Sequence, residues 1–188
     1  DQAHLCLGVR AFDLFRPERH AVSLAAGILG GVMSSRLFIK VREQQGLAYY
    51  IRTIPECYTD TGYLVTHAGV DNKRLPEVLK IILGEYKNIQ TKKIPEEELA
   101  KIKENAKGHL YLGLEASDDW ASYNGVQEIL KGKVDAPERE CASINKVTQE
   151  DILKAAKDIF RPNNLNLALI GPFREKKKFE SLLKNSGL

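Results

Sequence analysis

Ser34-Ser35-Arg36-Leu37-Phe38-Ile39-Lys40-Val41-Arg42-Glu43-Gln44-Gln45-Gly46-Leu47-Ala48-Tyr49-Tyr50-Ile51 is the stretch on which the fold turns. Leu37, Phe38 and Val41 recur at helical spacing, so its first part reads as the end of an amphipathic helix. Gly46 enters the left-handed region without steric penalty and closes that helix. Beyond it, Leu47, Tyr49, Ile51 and Thr53 alternate with Ala48, Tyr50, Arg52 and Ile54, the period of a strand. A cation, Arg42, therefore falls in the last helical turn, and a phenol, Tyr49, near the start of the strand. Both belong to one corner of the chain.

The same two periodicities organise the rest. Leu5, Leu7, Val9 and Ala11 alternate as a first strand, and Ala21 to Val32 form a helical stripe interrupted at Gly30-Gly31. The strand after Gly46 runs to about Tyr58; Asp60-Thr61-Gly62 turns it into a second strand, Tyr63 to Ala68, giving a hairpin. Helices then dominate: one from Leu75 to Ile89, one opened by Pro95 and three glutamates, and one after Ser117-Asp118-Asp119 that carries Trp120, Tyr123, Val126 and Leu130 and stops at Gly132. Thr148-Gln149-Glu150-Asp151 has the form of a capping box, and Leu165, Leu167 and Leu169 alternate as a last strand. This order predicts an α+β fold: a largely antiparallel sheet with helices packed on one face.

A chain of 188 residues, 43% apolar and 28% charged, has the bulk of one domain, and residues 1–188 are read as such. A net charge of +3 gives electrostatics no case for a nucleic-acid partner. No apolar run approaches the roughly 20 residues of a membrane-spanning helix. Cys6, Cys57 and Cys141 are odd in number and scattered, which suits reduced thiols and favours the cytoplasm. The start at Asp1 without methionine suggests an excised piece, so upstream targeting stays out of view.

With helix, glycine, strand, Arg42 and Tyr49 in place, the segment resembles the inverzincin metallopeptidases of the pitrilysin, insulin-degrading enzyme and mitochondrial processing peptidase type. It is most similar to their C-terminal half, in which S-R-L-F and then R-E-x-x-G-L-A-Y carry an arginine and a tyrosine seven positions apart. Arg42 and Tyr49 match those places. The likeness runs from His4-Leu5 to Gly171-Pro172. It implies that Arg42 and Tyr49 bind the substrate carbonyl and stabilise its oxyanion, and that this half walls a chamber for an extended peptide. It also implies that zinc and the general base lie in an N-terminal catalytic half, on the same polypeptide or a partner subunit.

The zinc signature of that family, H-x-x-E-H, is missing. No pair among His4, His20, His67 and His109 has its spacing, so no metal ligands are assigned to this chain, which alone should be inactive. From the residues alone, Arg42 has a second reading: a cation at a helix C-terminus stabilises the dipole by about 0.3–1 kcal/mol. Tyr49 is also an ordinary strand residue. His67 reads best as a half-buried, hydrogen-bonded histidine, and Tyr111, Trp120 and Tyr123 as core. Lys176-Lys177-Lys178 reads as a solvated helix face. The rival function is a non-proteolytic assembly or scaffold subunit similar to cytochrome-complex core proteins. Half of a clamshell should also expose an apolar patch, with homodimer formation as its symptom.

Overall fold

In the computed structural model, which describes residues 2–188, alternation along β1 (Gln2–Ala11) separates two faces. Ala3, Leu5, Leu7 and Val9 are buried, and His4 and Arg10 face outward. After β1 come α1 (Arg19–Ala26), whose winding widens into a π-turn over Gly27–Gly31, and a second π-wound segment over Phe38–Glu43. Then follow β2 (Ala48–Cys57) and β3 (Gly62–Asp71), the predicted hairpin. The helices are α2 (Leu75–Thr91), α3 (Glu96–Leu112), α4 (Ser117–Lys131), α5 (Pro137–Lys146) and α6 (Gln149–Ile159). A short 3-10 turn leads into β4 (Leu165–Ile170), and α7 (Lys176–Lys184) follows. No helix among the described residues is long and apolar enough to cross a membrane.

The four strands pair in the order β2-β3-β1-β4, every pair antiparallel, which is the predicted α+β sheet. Its inner face carries Leu5, Leu7, Ile51, Leu64, Ala68 and Val70 against the helices. Helix α2 lays Val78, Leu79, Ile82 and Tyr86 on that face; α6 packs beside it, and α1 beside α6. Among the described residues no helix covers the outer face, and Tyr50, Arg52 and Ile170 remain exposed there.

A buried hydroxyl chain joins the layers. Tyr86 on α2 donates to the Leu7 carbonyl at 3.1 Å and lies 2.7 Å from Thr66 Oγ1, which is 2.8 Å from Thr53 Oγ1. Burial pushes the Tyr86 phenol far above its ordinary range, so it stays a neutral donor. Its ring stacks on Phe160 with centroids 4.3 Å apart. Thr53 also explains Gly30. A Cβ there would meet Thr53 Oγ1 at 2.5 Å and its amide nitrogen at 2.7 Å, so this turn of helix approaches the sheet too closely for any side chain.

Three expectations need correction. Helix α5 lies in a stretch to which the periodicity assigned no element. Along β2 the inner phase is Ala48, Ile51 and Thr53, because the register shifts between Ala48 and Tyr50. Tyr111 and Trp120 are not core: they are 48% and 41% exposed, and Tyr123 is half-buried. For Trp120 and Tyr123 the physical reason is that α4 closes against the loop that follows it rather than against the body, the Tyr123 hydroxyl and Gln127 Nε2 both donating to the Asp135 carbonyl at 3.2 Å.

Two outcomes follow from this packing. Gly30→Ala should destabilise the fold by about 1–3 kcal/mol, read as a lower urea midpoint, because Thr53 belongs to the sheet and cannot retreat. The second concerns acid. Arg19 grips Glu140 through two hydrogen bonds of 3.0 and 2.8 Å, with His20 Nδ1 3.3 Å from the same carboxylate. Burial and the Arg19 charge push His20 below its ordinary value. Burial pushes Glu140 up, but the hydrogen bonds and charge of Arg19, with His20 and Lys131, outweigh it and hold the carboxyl low. Both groups bind protons more weakly folded than unfolded. Stability should therefore fall as pH drops below about 6.5, and fall further below about 4.5. Urea titrations from about pH 7 to about pH 4 test this, and Glu140→Gln should flatten the lower part of the decline.

Candidate functional site

The corner between helix and β2 is closed by backbone geometry. The Gln44 N–H donates to the Ile39 carbonyl at 2.9 Å, a span of five residues that widens the last turns. Gly46 sits at φ +58°, and its N–H reaches the Arg42 carbonyl at 3.1 Å. Leu47 N–H then reaches back to the Val41 carbonyl at 2.8 Å, so the strand begins tied to the helix it leaves. A π-turn and a left-handed glycine together set this corner.

Arg42 emerges from the last turn into solvent, its Cζ lying 5.0 Å from the centroid of the Phe38 ring. Phe38 therefore supports the guanidinium stem while leaving its N–H groups free. Tyr49 stands at the register shift of β2: Ala48 pairs with Val70 and Tyr50 with Gly69, so Tyr49 has no partner across the ladder. It is a bulge residue, 63% exposed. A bulge re-aims a side chain out of the regular alternation. Among the described residues, neither the Arg42 guanidinium nor the Tyr49 hydroxyl enters a side-chain hydrogen bond or ion pair. Both are exposed donors on one tied corner, available to a carbonyl oxygen.

The helix behind them is held by charge. Arg36 Nε and Nη2 donate to Glu98 on α3 at 2.8 and 2.5 Å, and Lys40 pairs with Glu85 on α2. Glu85 is buried, with Arg36 Nη1 a further 3.8 Å from it. Arg36 thus joins its own helix to α3 through the Glu98 carboxylate.

The outer sheet face adds contacts that sequence reasoning did not single out, around a His67 that it read as half-buried and hydrogen-bonded. The Tyr50 ring crosses β3 over Gly69 to bring its hydroxyl 3.0 Å from His4 Nδ1 on β1. A side chain at position 69 would collide with that ring, so glycine leaves it room. His67, half-buried, has its Nδ1 3.1 Å from Cys6 Sγ, and burial with the Arg52 charge lowers its proton affinity. These two groups line an open depression of about 450 Å³ with Arg10, Tyr63 and Asn166. Only the alternation itself signalled these residues, by assigning them to the face opposite the core.

The donor set does not fit a zinc ion. Among the described residues no three His, Cys, Asp or Glu side chains converge, and Cys6 with His67 makes two donors already engaged with each other.

Comparison with known proteins gives a consistent family. An uncharacterized zinc protease of Bacillus subtilis is 34% identical over 172 residues, and one of Mycobacterium leprae is 32% identical over 184. These alignments take in 92% and 98% of this chain but 42% and 41% of the relatives, so the chain spans about two fifths of their length. A conserved protein of Enterococcus faecalis has a crystal structure that superposes with a TM-score of 0.77 at 28% identity, covering 93% of this chain and 40% of that one. A chain of complex III2 from Candida albicans shares the fold, with a TM-score of 0.83 at 18% identity over 97% of this chain and 46% of that one. The family model described as the peptidase M16 inactive domain matches residues 1–106, more than half of the sequence, and the chain belongs to that family.

Proposed function

We propose that residues 1–188 form the C-terminal, substrate-holding half of a zinc-dependent metalloendopeptidase, with the metal and the general base in an N-terminal companion half. The observation that carries this reading is the Tyr49 bulge. It leaves an unpaired, exposed phenol at the start of a strand that is tied by two backbone hydrogen bonds to the helix carrying Arg42. Bulges are over-represented next to active sites, where they re-aim a side chain. In this reading Arg42 and Tyr49 bind the scissile carbonyl of an extended peptide. Arginine keeps its charge at any working pH and the phenol donates a neutral O–H, so both bonds strengthen as negative charge grows on the oxygen. The outer sheet face lines the chamber in which the peptide lies, and Tyr50, His4 and the His67–Cys6 pair form its wall.

The scaffold alternative shares the fold, and a likeness of 18% identity to a complex III2 chain carries fold alone. The nearer likeness to proteins named zinc proteases, at 34% and 32%, favours the peptidase reading.

In the reunited protein, Arg42→Ala or Tyr49→Phe should lower kcat by about 10²–10³ with zinc content and unfolding free energy nearly unchanged, since such donors act on the transition state. If Arg42 only compensates a helix dipole, its loss costs about 0.3–1 kcal/mol of stability and leaves turnover alone. Measuring kcat and urea stability on the same two variants separates the readings; unchanged turnover in both sinks the catalytic one. Titration of the chain alone with zinc, followed by elemental analysis, should show no tightly held equivalent. One bound equivalent would overturn the donor inventory.

A further inference from the structure

Helix α4 carries its apolar residues on the side that this chain does not cover. Its buried residue is Gln127, 7% exposed, whereas Ile129 and Val126 are 83% and 54% exposed. Gln127 looks inward because it is the tie: its Nε2 donates to the Asp135 carbonyl, and its Oε1 accepts the Asp135 N–H at 3.3 Å. Polar bonds to the next loop thus hold the helix, and its hydrophobic residues are left over. Between α4 and the last turns of α3 runs a groove of about 530 Å³, walled by Leu110, Leu114, Val126 and Leu130 with Leu14 at its margin. Ile129 stands as a ridge on the same side of α4. A helix whose one buried residue is a glutamine, with Val126, Ile129 and Leu130 exposed, is built to meet something further, because an apolar surface of this kind is otherwise left in water.

We propose that the α3–α4 groove and the Ile129 ridge are the surface on which the companion half docks, an inference that rests on the two-half reading above. The choice of occupant comes from chain length. The Mycobacterium leprae relative aligns over 184 residues, which leaves no room for α4 to fall outside the match, yet this chain is 41% of that protein. In such a protein the helix shares a polypeptide with a further segment longer than the chain itself. A tethered segment meets the groove at an effective concentration in the millimolar range, far above that of a free second copy. The groove selects an aliphatic or aromatic knob that seats between Leu110 and Val126, with Asp119 and Lys131 at its rim for polar neighbours.

Ile129→Asp is the decisive variant. Because Ile129 is solvent-exposed in this chain, the substitution should leave the urea midpoint unchanged. Titrated with the companion half that the two-half reading calls for, supplied as a separate polypeptide, it should bind at least tenfold more weakly than the parent chain. Val126→Asp should behave alike, and Lys177→Asp on α7 should bind as the parent does. Binding of Ile129→Asp within twofold of the parent overturns the proposal, as does a parent chain that does not associate with the companion. Loss of self-association in the variant, with companion binding intact, also overturns it and assigns the surface to a second copy. The peptidase reading fails separately. A pair that docks through α4 but whose turnover ignores Arg42→Ala leaves the docking surface in place and removes the catalytic role.

Discussion

The Tyr86 hydroxyl, reaching from α2 to the Leu7 carbonyl and to Thr66, fixes how the helical layer sits on the sheet. Dispersion and hydrophobic burial press the layers together but choose no register, since apolar surfaces slide over one another at small cost. A buried hydroxyl must find its partners, and here it finds them on two adjacent strands, with a third reached through Thr53. Sliding α2 by one turn would strand a phenol, two threonines and a carbonyl in an apolar interior. Phe160, stacked on the Tyr86 ring, extends the same constraint to the end of α6.

From that fixed point the geometry runs outward to the corner bearing Arg42. Thr53, held by Thr66, is the residue against which Gly30 closes, so the π-turn after α1 is located by the same chain of hydroxyls. The next helix is placed by charge. Glu85 is a carboxylate in a buried position, and such a group is tolerable only when cations satisfy it. Lys40 and Arg36, one helical turn apart, reach it from the same side, and Arg36 also spans to α3 through Glu98. These bonds orient the helix whose final turn presents Arg42.

Most of the fold was legible in the residues, and the failures have physical causes. Alternation located β1, β3 and β4, and the Thr148–Asp151 box located the start of α6, because each is a local pattern with a local cause. The polar helix α5 was missed although Pro137, Glu138 and Glu140 mark its first turn. In α4, periodicity shows which residues share a side but not which side meets the body; a glutamine tie reversed the expected answer. Arg42 and Tyr49 were visible as a spacing. The Tyr50–His4 contact was not, since it spans an intervening strand and depends on the missing side chain of Gly69. The bulge was hidden for a related reason: Leu47, Tyr49, Ile51 and Ala48, Tyr50, Arg52 look like two equally regular phases.

That bulge has a bearing on changes of length. Ala48 faces Val70 and Tyr50 faces Gly69, partners that are already consecutive on β3. Removing Tyr49 would thus join two correctly paired segments into one unbroken ladder, with every other residue of β2 still on its own side. A one-residue deletion inside the regular run from Ile51 to Glu56 would instead turn the remainder of the strand inside out. Tyr49 is in this sense supernumerary to the sheet, the position in β2 where the chain can shorten without disturbing the core.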